Sequence, residues 1–353
     1  MRKIIGISIM VLFLTRFYSP STAEEESKPE PVIIKIATIM PKKSYLGKRL
    51  DQFNREVRIE TGNAVGFKFY YDGRMGDEPD VLRKIGLRQL HGAFLSGHGL
   101  GYIVPEISII EVPFLFRRHE ELAYIQNKLA ETLNKKFDEK GYVVLGWHNI
   151  GFVYLFSKSP IESIDVLKNQ KCWVWGNDRM MSACYKAFNV SPIPLSITDV
   201  LTSINLNAVD AAPAPPFAAL MFRWNNVFEF VADIPCANRV SALVIRKYGS
   251  DPSVWDSISP ANQQRIREIA RVYFEKLSEV NEDINEKSIE VLKKDGMKIV
   301  HFNESDEYME EMGKKARESV VGHLYDKELL DHTLSLLEEY RRDHPCGKFE
   351  RIK

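Results

Sequence analysis

Three apolar runs of strand length, VIIKIATIM (32–40), GFKFYYDG (66–73) and HGAFLSGHG (91–99), are separated by two segments with helical spacing. Those segments run from about Tyr45 to Thr61 and over EPDVLRKIGLRQL (78–90). Strands that alternate with helices at such intervals dictate βαβ units and a largely parallel sheet, because a parallel partner is reached only by a long crossover. The pattern returns in YVVLGWHNI, FVYLFSK, KCWVW, SPIPL and AVDAAP, with helices expected near 178–188 and 198–205. A long amphipathic helix is expected from about Pro260 to Lys294, and two more helices after Glu304. The fold class is therefore α/β, and 353 residues favour two lobes over one.

The N-terminus predicts export. MRK is a basic start, IIGISIMVLFLT an apolar stretch of about twelve residues, and SPSTA a small-residue run ending at Ala23. That layout is a cleaved signal peptide (1–23), and the apolar stretch is too short for a bilayer span. An acidic, Pro-containing tether (24–31) follows, and the destination is the periplasm. Lys plus Arg and Asp plus Glu balance at 48 each and no basic run breaks the neutrality, so nucleic acid is not an expected partner. Cys172, Cys184, Cys236 and Cys346 allow three disulfide pairings, with buried free thiols as the favoured reading. None forms a CxxC or stands at ligand spacing from a His, so no metal and no cofactor are expected.

Catalytic signals are thin. GHGLG (97–101) lacks the dinucleotide fingerprint and reads as a tight loop after a strand. No GxSxG, HExxH or Walker A sequence is present, and the paired carboxylates, Asp77 with Glu78 and Glu120 with Glu121, read as solvated faces or helix caps. The expected class is a binder, not an enzyme.

Four ordered segments carry a resemblance. FYYDGRMGDEPDVLRKIGLRQLHGAF, PEISIIEVPFLFRRHEEL, SPIESIDVLKNQKCWV and FNVSPIPLSITDVLTSINLNAVDAAPAP resemble, in this order, segments of the DctP-type solute-binding proteins of tripartite ATP-independent periplasmic (TRAP) transporters. Met75 stands for the Leu of that family's G-x-L-G turn. The resemblance runs from about Ile34 to Ile269. It implies two α/β lobes with a hinge and a long helix touching both: lobe I in 32–150 and 241–303, lobe II in 151–240, and extra C-terminal helices in 304–353. It also implies a small-molecule ligand, membrane subunits of DctQ and DctM type as partners, and a tetratricopeptide-repeat periplasmic protein as a further candidate partner.

Family ligands are typically carboxylates clamped by the Arg of a K-i-R-v segment. Here that position is Trp173, in Lys171-Cys172-Trp173-Val174. A second pocket Arg of sialic-acid-type members aligns with Val153, and the Asn of e-n-p with Ala214. Three polar anchors have become apolar together, and an indole cannot replace a bidentate guanidinium. Trp173 and Trp175, at i and i+2 of a strand, should project to one side. The expected site is Trp147, Phe152, Val153, Tyr154, Trp173, Trp175, Ala214, Phe217 and Phe222, with Ser44, Ser96 and His98 from the first lobe. The favoured ligand is mainly apolar or aromatic: lipid-, sterol- or quinone-like, or an aromatic acid held by weaker donors. The alternatives are an organic-acid receptor using a relocated Arg, such as Arg179 or Arg74, and a sensor-associated binder without a transport role.

Overall fold

Tyr142–Ser157, β4, is a sixteen-residue strand that runs through both halves of the computed structural model, which describes residues 30–248 and 252–352. The expected signal peptide and nearly all of the tether lie outside the described residues. Before β4 come β1 (Val32–Ala37), α1 (Tyr45–Glu60), β2 (Val65–Tyr70), α2 (Glu78–Gly86), β3 (Gly92–Ser96), α3 (Gly97–Gly101) and α4 (His119–Glu139). After it come α5 (Ile164–Leu167), β5 (Trp173–Trp175), α6 (Arg179–Ala187), β6 (Ile193–Leu195), α7 (Ile197–Asn205), β7 (Ala211–Ala214) and α8 (Pro216–Met221). The chain continues through β8 (Phe230–Ala232), β9 (Ala237–Arg246), α9 (Pro260–Glu279), α10 (Asn281–Lys294), β10 (Lys298–Val300), α11 (Asp306–Ser319) and α12 (Lys327–Asp343).

The strand order is β10-β8-β4-β9-β3-β1-β2, with β7 also paired to β4 and a separate parallel pair β5-β6. β1 pairs in parallel with β2 and β3, as their helical crossovers require. β9 returns antiparallel between β3 and β4. β4 pairs with β9 over Tyr142–Val153, then turns to β7 and β8 over Tyr154–Ser157. One strand thus joins the β1–β2–β3 half to the half that carries β5 to β8. The two runs expected as separate strands are this one element.

Two bulges interrupt β4, between Val144 and Gly146 and between Asn149 and Gly151. The second inserts a residue beside Gly151, whose φ of +107° a side chain rarely adopts. Its strain is met from the helices: the Asn281 and Asn285 amides donate to the Ile150 carbonyl at 2.5 and 2.9 Å. At the same level the long helix breaks. Instead of one helix over 260–294 there are two, α9 and α10, meeting at Val280.

GHGLG is also not the expected loop. It forms the short helix α3, and its glycines make room for two buried carboxylates. A Cβ on Gly97 would meet Glu111 Oε1 at 2.1 Å, and one on Gly99 would meet Glu78 Oε2 at 2.6 Å.

The C-terminal helices pack back onto both halves: α11 lies against α6, and α12 against α4. Buried Glu121 takes a two-pronged ion pair from Arg341, at 2.7 and 2.8 Å, which is the geometry a guanidinium suits best. All four cysteines are free thiols, with Cys172 and Cys184 buried.

Candidate functional site

β5 supplies the first wall. Its residues are buried on both sides, and the Trp173 and Trp175 rings lie together as their spacing requires, with centroids 6.1 Å apart. Trp224 meets Trp173 edge-on at 5.6 Å, a favoured aromatic geometry. The Trp173 indole N–H donates to the Leu195 carbonyl at 3.0 Å, so its polar atom is already satisfied and only its apolar surface is on offer. Trp173 is 3% exposed.

These rings border a cavity of about 50 Å³. Ala214, Phe217 and Phe222 complete its apolar wall, on β7, α8 and the residue that caps α8. Ile39, Met40, Leu46 and Ile150 close it from the β1 side and from the β4 bulge. Its polar members are Ser96 and Arg239. They belong to neighbouring strands: Ser96 of β3 pairs with Ser241, two residues along β9 from Arg239.

Of the twelve site residues expected from the sequence, Trp173, Trp175, Ala214, Phe217, Phe222 and Ser96 line this cavity. The other six are placed elsewhere. Ser44 caps α1, accepting from Gly47 N at 3.1 Å. His98 of α3 stacks on Trp175, with centroids 5.0 Å apart, and faces a neighbouring hollow of about 230 Å³. Val153 is buried in the β4–β9 ladder, opposite Ala237. Trp147 lines a groove of about 610 Å³ between α4 and α9, where its N–H bonds Asn134 Oδ1 at 2.9 Å. Phe152 and Tyr154 line a hollow beside α10, and Phe152 lies against His119 at 4.3 Å.

The bulge explains the misplacement of Phe152 and Tyr154, while Trp147 faces away from the cleft by simple alternation from Ile150. Inserting one residue at 150 changes the alternation, so Trp147, Asn149, Phe152 and Tyr154 all face the α4 and α10 side. Ile150 takes the cleft side instead. The one mark of such a shift in the sequence is Gly151, since a glycine inside a strand often signals a bulge.

Neither Arg expected as a relocated anchor reaches the cavity. The Arg74 side chain is 75% exposed and sits 3.7 Å from Asp72. Arg179, at the start of α6, faces the hollow that holds His98. Arg239 is the guanidinium at the cavity; it lies on β9, a strand absent from the sequence expectation, and no motif marks it. It donates to Glu111 Oε2 at 2.7 Å and to Asp178 Oδ2 at 2.9 Å. Burial opposes its charge, and the Glu111 and Asp178 carboxylates more than offset this, holding its pKa above the usual range. Burial pushes the Glu111 carboxyl up, against the pull of Arg239 and of Val240 N.

A second buried carboxyl lies behind Ser96. Glu78 accepts from Ser96 N, Ser96 Oγ and Gly99 N, each at 2.7 Å. Burial pushes it up to about 8, against those three hydrogen bonds. The described residues contain no cluster of His, Cys, Asp and Glu fit for a metal ion. The arrangement can enclose a small solute between an apolar wall and a polar floor.

Comparison with known proteins places the fold. The family profile DctP, "Bacterial extracellular solute-binding protein, family 7", matches residues 36–322. A solute-binding protein of Verminephrobacter eiseniae is 25% identical over 230 residues, covering 65% of this chain and 67% of its own length. The sugar acid binding protein DctPAm of Advenella mimigardefordensis, solved in complex with galactonate, superimposes with a TM-score of 0.80 at 19% identity, over 88% of this chain and 99% of that one. A TRAP periplasmic solute-binding protein of Desulfovibrio salexigens with bound orotic acid gives 0.78 at 19% identity, with the same coverage. Such proteins are periplasmic receptors for small molecules that work with DctQ and DctM membrane subunits. Among the described residues no helix is long and apolar enough to cross a membrane. The two-lobed fold and the profile match over most of the chain make this protein a member of the DctP family, a TRAP-type solute receptor.

Proposed function

We propose that this receptor takes a small ring-bearing organic acid, with the ring against Trp173, Trp175 and Phe217 and the carboxylate toward Arg239 and Ser96. The observation that supports it is the division of the cavity between an aromatic wall on β5 and α8 and a polar pair on β3 and β9. An indole whose N–H is spent offers dispersion and stacking to a flat ring and nothing to a carboxylate. A carboxylate needs a cationic partner, and Arg239 keeps guanidinium N–H groups beyond the two it gives to Glu111 and Asp178, while the Ser96 hydroxyl proton is already given to Glu78.

The ligands named for the two structural relatives, orotic acid and galactonate, are both acids. This favours an acid over the lipid-, sterol- or quinone-like ligand that the apolar substitutions alone suggest. So does size, since a cavity of about 50 Å³ must open considerably to take a sterol. The mature chain is proposed to begin near Glu24 after export, with 32–150 and 241–303 forming one lobe and 151–240 the other.

Titration calorimetry with orotate, galactonate and uracil tests the ligand class. Orotate should bind at least about tenfold more tightly than galactonate, through the ring, and than uracil, through the carboxylate. Equal affinity for galactonate, or tighter binding of uracil, would overturn the reading. N-terminal sequencing of the exported protein tests the start site.

A further inference from the structure

We infer that Asp77 is a cross-cleft positioning residue: its carboxylate holds the Trp175 indole in the cavity wall and ties α2 to the β5–β6 edge when the cleft is shut. Asp77 is almost wholly buried and caps α2, accepting from Glu78 N at 2.8 Å. The same carboxylate accepts the Trp175 indole N–H, at 3.1 and 3.3 Å from its two oxygens. It also accepts the Ser196 hydroxyl at 2.6 Å. Trp175 ends β5 and Ser196 caps α7, so both donors come from the half opposite to α2. Capping alone needs one short acceptor. A carboxylate with two further donors from across the cleft does more than cap.

The surroundings fit that role. His98 of α3 stacks on the other side of the Trp175 ring, so the indole is held by a hydrogen bond at its edge and an imidazole on its face. Asp77 is not among the residues that line the cavity, so it acts on a solute through Trp175 and through closure. Contacts that exist in the shut form and not in the open one shift the equilibrium between them by their own free energy. The inference rests on the two-lobed receptor fold and not on the identity of the ligand.

Serine separates the two jobs. It caps a helix as well as aspartate does, but its oxygen is one bond shorter and cannot reach Trp175. X-ray scattering of the ligand-free protein then reads the open and shut populations. Asp77→Ser and Trp175→Phe should each raise the radius of gyration, through a roughly tenfold fall in the shut-to-open ratio. The double variant should match Asp77→Ser, which already removes the Trp175 bond along with the Ser196 one. Asp77→Asn puts an NH2 donor in place of one accepting oxygen, so it cannot serve the cap and both cross-cleft donors; it should open the protein less than Asp77→Ser, as should Ser196→Ala. An unchanged radius in Asp77→Ser with an unchanged melting temperature would overturn the inference, as would additive opening in the double variant. Because no ligand is present, failure here leaves the ring-acid reading standing, and failure of that reading leaves this one standing.

Discussion

The two sides of the cleft are built from opposite chemistry. On β5, β7 and α8 the wall is rings and small apolar residues, among them Trp173, Ala214 and Phe217. Along β3 and β9 the floor is polar and buried: Arg239 of β9 pairs with Glu111 and, from the far half, Asp178, and Glu78 of α2 accepts from Ser96 of β3. An apolar wall tolerates change in proportion to the volume lost. A buried charged seam does not, since removing one member strands the others away from water. The wall is therefore where solute specificity can drift, and the seam is where the fold resists change.

Arg239→Met should give the largest effect. It leaves the Glu111 and Asp178 carboxylates without their partner, which costs about 3–5 kcal/mol for a buried pair. Urea denaturation checks this, and a cost below about 1 kcal/mol would erase the contrast between seam and wall.

Trp173→Arg tests the wall. A guanidinium here removes the indole face on which the orotate ring rests and places a charge among the remaining rings, so orotate should bind at least about tenfold more weakly even though its carboxylate gains a second cation. Galactonate, which gains a family-like anchor, should bind no worse than before. Trp173→Phe keeps an aromatic face and should cost less than about tenfold. If calorimetry finds both substitutions near neutral for orotate, Trp173 serves only the core.

Glu78 sharpens the comparison through pH. Its carboxyl is raised from 4.5 to about 8 by burial, so between those values the unfolded chain loses a proton that the folded one keeps. Stability contributed by this group is fully present below pH 4.5 and falls as pH rises through that window, levelling above about 8. Glu78→Gln should flatten that fall when denaturation midpoints are compared between pH 5 and about 8.5. An identical slope in the variant would mean that Glu78 ionises at its ordinary pKa.

The smallest effect is expected at Trp147, on the opposite face of β4. Trp147→Ala should change orotate affinity by less than about twofold, as for a position remote from the site. A loss comparable to that at Trp173 would place the site on the wrong side of the strand.

The sequence by itself determined the parts that follow from local period and order. Alternating apolar runs and helical spacing gave the βαβ start, and Trp173-Val174-Trp175 gave two rings on one side of a strand, because pleating has a fixed period of two. The ordered family segments gave the receptor fold and singled out Trp173, Val153 and Ala214, of which Trp173 and Ala214 share one cavity and Val153 lies in the β4–β9 ladder. Tertiary structure decided the rest. The bulge at Ile150 reversed the faces of the later part of β4 and carried Phe152 and Tyr154 away from the cleft, to the side that Trp147 already faced. The break at Val280 divided a helix whose apolar pattern runs on without interruption. Arg239 gained its place from Glu111 and Asp178, which are 128 and 61 residues away in the chain. Periodicity is written in neighbouring residues. A bulge, a helix break or a buried ion pair is fixed by partners brought together only when distant segments pack, and their cost and reward are felt only there.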